Sequence, residues 1–266
     1  MAVPRRNWSG VAEGVVDIVW TVNGYTQGLF PRSKAFEFPA VFTNNLAAAN
    51  LAMRDVFGEH LAPDFADVQV LFLHVHAGQA LHMAQKRVRS PQDITGLKLR
   101  VPGPTGTAVG ATPVTMPVPD LLQALSTGAV DGALIPWEII PPRQLFESTA
   151  YQIEGPDKNR FGTTTFQVSM NTARWDGLPE DLKQVLADNI GKEWLREVSD
   201  IWRAADDVGI KMAVDNGNEH IVLSEDEMAA FNDVLAPVVE DWVAQSGFDA
   251  AALVAAARKA IADQQS

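Results

Sequence analysis

Residues 93–138 read DITGLKLRVPGPTGTAVGATPVTMPVPDLLQALSTGAVDGALIPWE, and this stretch decides the fold class. Short strand-like runs occur at 97–101, 112–116 and 132–135, and a helical pattern at 120–127 separates the last two. Strands that alternate with helices are typical of parallel sheets with crossover connections. The stretch therefore predicts an α/β fold.

The flanking sequence extends this pattern in both directions. Apolar and β-branched runs predict buried strands at 15–22 and 68–75, a further strand at 163–170 and a short one at 220–223. A helical pattern covers 47–57. We find no internal repeat and no low-complexity linker, so structured segments must cross any boundary between lobes.

A long helical pattern follows Pro179, which suits a first helical position, and continues to about residue 215. One helix of that length would measure roughly 50 Å at 1.5 Å per residue. That exceeds one small lobe, so we expect the helix to run across two. Gly191 and Gly209 weaken the pattern, because an interior glycine costs about 1 kcal/mol relative to alanine.

Helix-start signals mark the C-terminal part of the chain. Ser224 with Glu227 has the pattern of a capping box, and Asp249 is suited to cap a last helix. Two further helices are therefore expected after the strand at 220–223.

Composition excludes several classes of function. The 266 residues are 47% hydrophobic and 20% charged, which is ordinary for a folded protein long enough for two lobes. A formal net charge of -12 argues against nucleic acid or an anionic membrane surface as a partner. An anionic ligand would then need a local positive site. Cysteine is absent, so thiolate metal sites and thiol nucleophiles are excluded.

Targeting signals are also missing from the sequence as written. No apolar run approaches the roughly 18 to 20 residues that a membrane-spanning helix needs, so we expect no direct membrane insertion. Arg5 and Arg6 are not followed by the apolar segment of an export signal. The first strand pattern begins without a preceding element to pair with, and we expect an upstream piece to be missing.

Sequence motifs give little support for catalysis or for a cofactor. The glycines after 97–101 do not form G-x-G-x-x-G, and neither G-x-S-x-G nor H-E-x-x-H occurs. His74, His76 and His82 cluster near a strand end, but packing or hydrogen-bonded histidines explain them better than a metal does. We therefore predict that the protein is not an enzyme and has no cofactor and no metal site.

Arg100 is the strongest candidate for contact with a ligand. It ends an apolar strand beside a glycine-rich loop, and ligands bind outside the carboxyl ends of parallel strands. Its planar guanidinium group suits bidentate binding of a carboxylate. By spacing alone, an ordinary surface or ion-paired arginine fits equally well. Trp137 and Glu138 follow the next strand in the same way, and alone they indicate only a helix start with an aromatic packing residue.

Three blocks resemble the solute-binding subunit of tripartite ATP-independent periplasmic (TRAP) transporters. They are DITGLKLRVP (93–102), GATPVTMPVPDLLQALSTGAVDGALIPWE (110–138) and SMNTARWDGLPEDL (169–182), in the same order and spacing as in that family. Upstream, EGVVDIVW (13–20) and LFP (29–31) resemble the same family, so the similarity covers nearly the whole chain.

The resemblance implies a two-lobed, periplasmic-binding-protein-like fold with mostly parallel sheets, crossing strands and a long inter-lobe helix. Lobe I would comprise 1–75 and 163–200, without the first strand-helix-strand unit. Lobe II would comprise 76–162 and 201–266, including the C-terminal helices. The lobes would close on a small organic acid in the periplasm and deliver it to the sodium-coupled TRAP membrane permease.

The resemblance also implies which residues bind the solute. Arg100 corresponds to the arginine that holds the carboxylate in this family. The other side chains expected near the cleft are Tyr25, Val118, Trp137, Glu138 and Asn171, with His76 and His82 near its rim. Some family branches bind the anion through a metal ion, for which Glu138 would be a ligand, but a charge at a helix start explains Glu138 better.

Two departures from the family pattern bear on these expectations. Ala80 and Val118 replace the arginine and the aromatic residue of the sialic-acid-binding branch, so sialic acid is disfavoured. The connection 101–109 has fewer residues than the dozen or so of a full crossover, which predicts strain there. Two alternatives remain open: a non-binding truncated remnant of the family and a cytosolic α/β enzyme of unrecognised type.

Overall fold

The structure, a computed structural model, describes residues 7–26, 28–39, 41–42, 44–101 and 103–265, excluding the side chains of 103 and 104. The arginines of the sequence start and Pro102, which follows the predicted strand at 97–101, lie outside the described residues. The described strands form two sheets, one in each lobe. They are β1 (Ile18–Val22), β2 (Val68–Val75), β3 (Ala80–Met83), β4 (Lys98–Arg100), β5 (Thr112–Val114), β6 (Gly132–Ile135), β7 (Tyr151–Glu154), β8 (Thr165–Asn171) and β9 (Glu219–Val222).

Lobe I contains a three-stranded sheet in the order β1-β8-β2. Both of its ladders are antiparallel, because β8 returns from lobe II between two strands that run the other way. The expectation of mostly parallel sheets does not hold for this sheet. Burial along β1 alternates: Val19 and Thr21 are buried, whereas Ile18 and Trp20 are about half exposed. The prediction of a buried strand is therefore wrong for one face of β1.

Lobe II contains a six-stranded sheet in the order β5-β4-β6-β3-β7-β9. The pairs β4–β5, β4–β6 and β7–β9 are parallel, and only β3 runs against its neighbours. The α/β class predicted from residues 93–138 is confirmed, since that segment supplies β4, β5 and β6. Their carboxyl ends lie at one edge of the sheet, and β3 begins at the same edge.

Helices occupy the connections and the C-terminal part. The described ones are α1 (Asn7–Ala12), α2 (Leu46–Val56), α3 (Gly103–Ala108), α4 (Leu121–Ser126), α5 (Ile140–Arg143), α6 (Thr172–Asp176), α7 (Glu180–Asn189), α8 (Lys192–Asp215), α9 (Glu225–Gln245) and α10 (Ala250–Asp263). The capping box of Ser224 and Glu227 and the Asp249 cap are confirmed.

The short connection between β4 and β5 is a complete crossover. A six-residue helix, α3, fits because Gly106 lets it approach the sheet closely. A Cβ atom at position 106 would lie 2.5 Å from Val101 Cγ1 and 2.9 Å from Pro113 Cβ. In place of the strain expected from a short connection, the structure shows a close helix–sheet contact that only glycine permits.

The single long helix predicted for 179–215 is wrong. The helical pattern is interrupted at Ile190, and Gly191 has extended backbone angles as the N-cap residue of α8. Gly209, by contrast, lies inside α8. The 24 residues of α8 span about 36 Å. This is enough for α8 to contact lobe I, through the Asn50–Ser199 hydrogen bond, and lobe II, through Gly209 packed on Trp137.

Three apolar clusters form the core. One fills lobe I between its sheet, α2 and α10, and the other two cover opposite faces of the lobe II sheet. Leu253, Val254 and Ala257 of α10 belong to the lobe I cluster. The predicted division of the chain, which places 201–266 with lobe II, therefore differs from the packing at α10. Within the described ranges, no helix is both long and apolar enough to span a membrane.

Candidate functional site

The candidate site lies at the sheet edges from which the chain crosses between the lobes. On lobe II, the ends of β4 and β6 and the start of β3 share one edge. On lobe I, the ends of β1 and β2 lie beside the start of β8. The chain crosses between these edges at 76–79 and 161–164, where the Gln79 N–H donates to Gly162 O at 2.8 Å and the Phe161 N–H donates to Gln79 O at 2.9 Å.

Arg100 ends β4 at this edge, and backbone carbonyls orient its guanidinium group. Its Nε–H donates to Met116 O at 3.2 Å, and Nη1 donates to Leu134 O at 3.4 Å. In the described part of the chain, Arg100 forms no ion pair with a carboxylate. An arginine has five N–H donors, so three remain for a ligand, including a pair on the two Nη atoms. This arrangement fits one carboxylate bound end-on.

Tyr25 approaches Arg100 from the other lobe. It ends the 3-10 turn Asn23–Tyr25 that follows β1, and the Asn23 side chain anchors this turn by accepting a 2.9 Å hydrogen bond from Gln167. Burial lowers the pKa of Arg100, and the nearby Tyr25 phenol acts in the opposite direction. The guanidinium group stays charged even so. Tyr25 is thus near enough to Arg100 to affect its pKa.

Val118 also lies near Arg100. It begins the 3-10 turn Val118–Asp120, two residues after Met116, whose carbonyl oxygen accepts from Arg100. Its side chain is half-buried.

Trp137 lies in the protein core rather than on the cleft wall. It is fully buried, and its indole N–H donates to Glu154 Oε2 at 2.9 Å. Its ring lies edge-on to His82 and His220, with ring centroids 5.0 Å apart in both cases. The indole N–H of Trp137 is thus used within the protein.

Glu138 follows Trp137 in the same 3-10 turn and faces α8. Burial raises the pKa of Glu138 well above its usual range, and the nearby Asp206 raises it further. Its Oε2 atom is buried without a hydrogen-bond partner among the described residues. Glu138 is thus a partly buried carboxyl group close to Asp206 and Arg160.

His76 and His82 are both buried, not exposed at a rim. His76 Nδ1 accepts from Gly78 N–H at 2.9 Å, and the His82 Nε2–H donates to Ile135 O at 3.1 Å. Burial lowers the pKa of each to about 3. Both rings are therefore neutral at pH 7, and neither supplies a positive charge for an anion.

Asn171 lies at the far end of β8 from the cleft. Thr165, at the cleft end, is six residues away, or about 20 Å along an extended strand. The Asn171 side chain caps α6 by accepting from Arg174 N–H at 3.1 Å, and it donates to Val11 O at 2.8 Å. The structure does not bring Asn171 to Arg100.

Sequence reasoning missed the carbonyl groups that orient Arg100 and a buried ionic cluster around Arg160. Arg160 is 1% exposed and pairs with Glu154 and with Asp206, the latter at 2.6 Å. Nothing in the spacing of these three residues signals that they meet. Over the described ranges, no group of three or more acidic or histidine side chains is arranged to hold a metal ion.

Comparison with known proteins gives the family. The model of the bacterial extracellular solute-binding proteins, family 7 (DctP), matches residues 3–246. A C4-dicarboxylate-binding periplasmic protein DctP from Rhodobacter capsulatus is 28% identical over 187 residues, which is 68% of this chain and 54% of that protein. The chain thus spans about half the length of the curated relatives it matches.

Solved structures agree over the entire chain. A TRAP solute-binding protein from an unidentified marine microbe, specific for aromatic acid ligands and in complex with metahydroxyphenylacetate, is 33% identical with a TM-score of 0.94. A TRAP solute-binding protein from Rhodoferax ferrireducens, in complex with copurified benzoate, has the same identity and TM-score. Both alignments cover 100% of this chain, and 86% and 84% of those chains. The two-lobed α/β fold and the match of the family model over most of the sequence lead to one conclusion: the chain belongs to family 7 of the bacterial extracellular solute-binding proteins.

Proposed function

We propose that the protein binds an aromatic carboxylate in the cleft between its lobes and releases it unchanged to a TRAP permease. The observation that carries this proposal is the environment of the Arg100 guanidinium group. Its guanidinium group is largely buried, is oriented by two carbonyl groups and has no carboxylate of the described residues to balance its charge. A buried charge without a partner is costly, so the site favours an anionic ligand.

The aromatic character of the ligand is argued from neighbours and from the cleft. Structures at 33% identity bind benzoate, 3-hydroxybenzoate and metahydroxyphenylacetate, each a single carboxylate on or near a ring. Tyr25 and Val118 belong to turns near Arg100, and their apolar surface would suit a ring. Asn171, Trp137, His76 and His82 are left out of the proposed ligand contacts, because their side chains are used within the protein.

The periplasm is the proposed location, and the permease is the proposed partner. A binding protein only captures its solute, so a membrane protein must accept the solute for transport to follow. Sodium coupling belongs to that permease and is proposed with it.

Calorimetric titration of benzoate, 3-hydroxybenzoate and succinate tests the proposal. Arg100→Ala is expected to lose about 2 to 5 kcal/mol of binding free energy for the aromatic acids, the range for removal of one partner from a buried charged pair. Lys98→Ala is the matched control, because Lys98 is an exposed residue of the same strand, and it should bind as the unmodified protein does.

Three results would contradict the proposal. Unchanged affinity in Arg100→Ala would remove Arg100 as the anchor. Binding of succinate but of no aromatic acid would assign a dicarboxylate ligand instead. A protein that melts cooperatively and is shifted by no anion would favour the non-binding alternative, since a ligand at about 100 times its Kd adds near 2.7 kcal/mol.

A further inference from the structure

Within the described residues, the chain connects the lobes at 76–79, at 161–164, along α8 and along α9, which packs on lobe II through Phe231 and on lobe I through Val239. The first three of these connections meet at Arg160. The first connection, 76–79, reaches it through Gly78, where an added Cβ atom would lie 2.5 Å from Arg160 Cγ. The second, 161–164, begins at the next residue after Arg160. The third is α8, whose Asp206 accepts from Arg160 Nη2 at 2.6 Å.

Arg160 is also fixed to lobe II. Its Nη1 pairs with Glu154 at the end of β7, and its Nε–H donates to Lys158 O at 3.1 Å. Glu154 in turn accepts from Trp137, which follows β6. The Arg160 cluster, defined as Glu154, Arg160 and Asp206, thus ties the lobe II sheet to three of these connections.

Close packing reinforces the position of α8 against lobe II. A side chain at Gly209 would collide with the carbonyl oxygen of Trp137, so the helix lies directly on the turn after β6. Gly209 is one turn of helix after Asp206. The ion pair of Asp206 with Arg160 and the packing of Gly209 on Trp137 therefore hold the same part of α8 against lobe II.

A buried ionic cluster of this kind does more to fix geometry than to stabilise the fold. Replacing buried ion pairs with apolar side chains of equal volume is often neutral or stabilising, whereas hydrogen-bonded charges demand a defined orientation. Asp206 Oδ1 has no hydrogen-bond partner among the described residues. Asp206 is joined to the cluster through its Oδ2 contact with Arg160, and losing that contact should leave the connections less constrained.

We propose that the Arg160 cluster is a positioning device that holds the two lobes in the arrangement in which the turn after β1 of lobe I faces the end of β4, with Arg100, in lobe II. Loosening it would populate other lobe arrangements, and apparent affinity falls with the population of the binding-competent state. No residue of the cluster needs to touch the ligand. The effect on affinity rests on the proposed function, whereas the effect on lobe arrangement does not.

Asp206→Asn tests the cluster, and Asp207→Asn is its matched control. Asp207 is the adjacent residue of α8, is exposed and pairs with Lys158 at the surface. Because the chain has no cysteine, Glu59→Cys in lobe I and Ala129→Cys in lobe II provide two unique sites for spin labels. Both positions are exposed. Distance distributions between the labels are measured without ligand and with benzoate, together with the benzoate Kd.

Asp206→Asn should broaden the ligand-free distance distribution and raise the benzoate Kd at least fivefold, whereas Asp207→Asn should change neither. If Asp206→Asn does not fold, Arg160→Lys replaces it, because lysine keeps the charge but not the planar group that reaches two carboxylates. If benzoate binds to no protein in the set, the proposed function fails, but the ligand-free distributions still test the cluster. Identical distributions in Asp206→Asn and the unmodified protein would overturn the proposal.

Discussion

Two largely buried arginines have opposite roles in this protein. Arg160 is balanced by Glu154 and Asp206, so its charge is used within the fold. Among the described residues, Arg100 donates to the carbonyl groups of Met116 and Leu134 and to no carboxylate, so its charge stays available. The residue type is the same in both cases, and the neighbours decide between a structural arginine and a binding one.

Asn171 provides a test at the residue scale. Asn171→Ala removes the cap of α6 and the hydrogen bond to Val11, and it should lower the free energy of unfolding by about 1 to 2 kcal/mol. The benzoate Kd should stay the same, because the side chain lies at the far end of β8. Chemical denaturation and calorimetry measure the two quantities, with the exposed Asn189→Ala as control. Loss of affinity without loss of stability would return Asn171 to the ligand contacts.

At the scale of elements, close contacts between helices and neighbouring elements explain where the structure departs from the patterns seen in the sequence. The crossover from β4 to β5 needs only a six-residue helix because Gly106 lets α3 lie against Val101 and Pro113. Gly191, in extended conformation, separates α7 from α8, whereas Gly209 continues α8 and packs on lobe II. The different roles of Gly191 and Gly209 do not follow from residue type alone, because the surface on which α8 packs comes from elsewhere in the sequence.

Gly106→Ala tests the crossover. The added methyl group would lie 2.5 Å from Val101 Cγ1, and overpacking of this kind typically costs about 1 to 3 kcal/mol. Gly58→Ala is the control, because no atom lies within 4 Å of the corresponding Cβ position. It should be neutral or stabilise by up to about 1 kcal/mol. Equal stability of both variants in urea denaturation would show that α3 does not approach the sheet closely.

At the scale of the whole molecule, buried charge concentrates where the lobes join. Burial raises the pKa of Asp206 to about 6, although Arg160 and Lys158 lower it; Glu154 and Asp207 add to the increase. Burial also acts to raise the pKa of Glu154, but the hydrogen bond from His220 and the charge of Arg160 lower it overall. Of the two carboxylates that pair with Arg160, Asp206 is thus the one that takes up a proton first.

The pH dependence of stability follows from this shift. A carboxyl group whose pKa is higher in the folded state contributes stability below its unfolded pKa and loses that contribution as pH rises through the folded value. For Asp206 this interval runs from 3.8 to about 6, and two pKa units correspond to on the order of 3 kcal/mol. The unfolding free energy of the unmodified protein, minus that of Asp206→Asn, should therefore fall between pH 4 and pH 7. A constant difference across this range would contradict the shift.

The sequence by itself determined the α/β class, most strand positions, the capping residues Ser224 and Asp249, and the position of Arg100 at a strand end. These features depend on short-range patterns: hydrophobic periodicity, helix-capping residues and the turn-forming residues at the ends of strands. The sequence could not show that Trp137, His76, His82 and Asn171 are used inside the protein, since their burial depends on distant parts of the chain, as in the contacts of His82 with Ile135 and of Asn171 with Val11. The tertiary structure alone decided this, as it decided that Arg160 meets Glu154 and Asp206, because burial and long-range contacts fix which polar groups are paired and which remain available to a ligand.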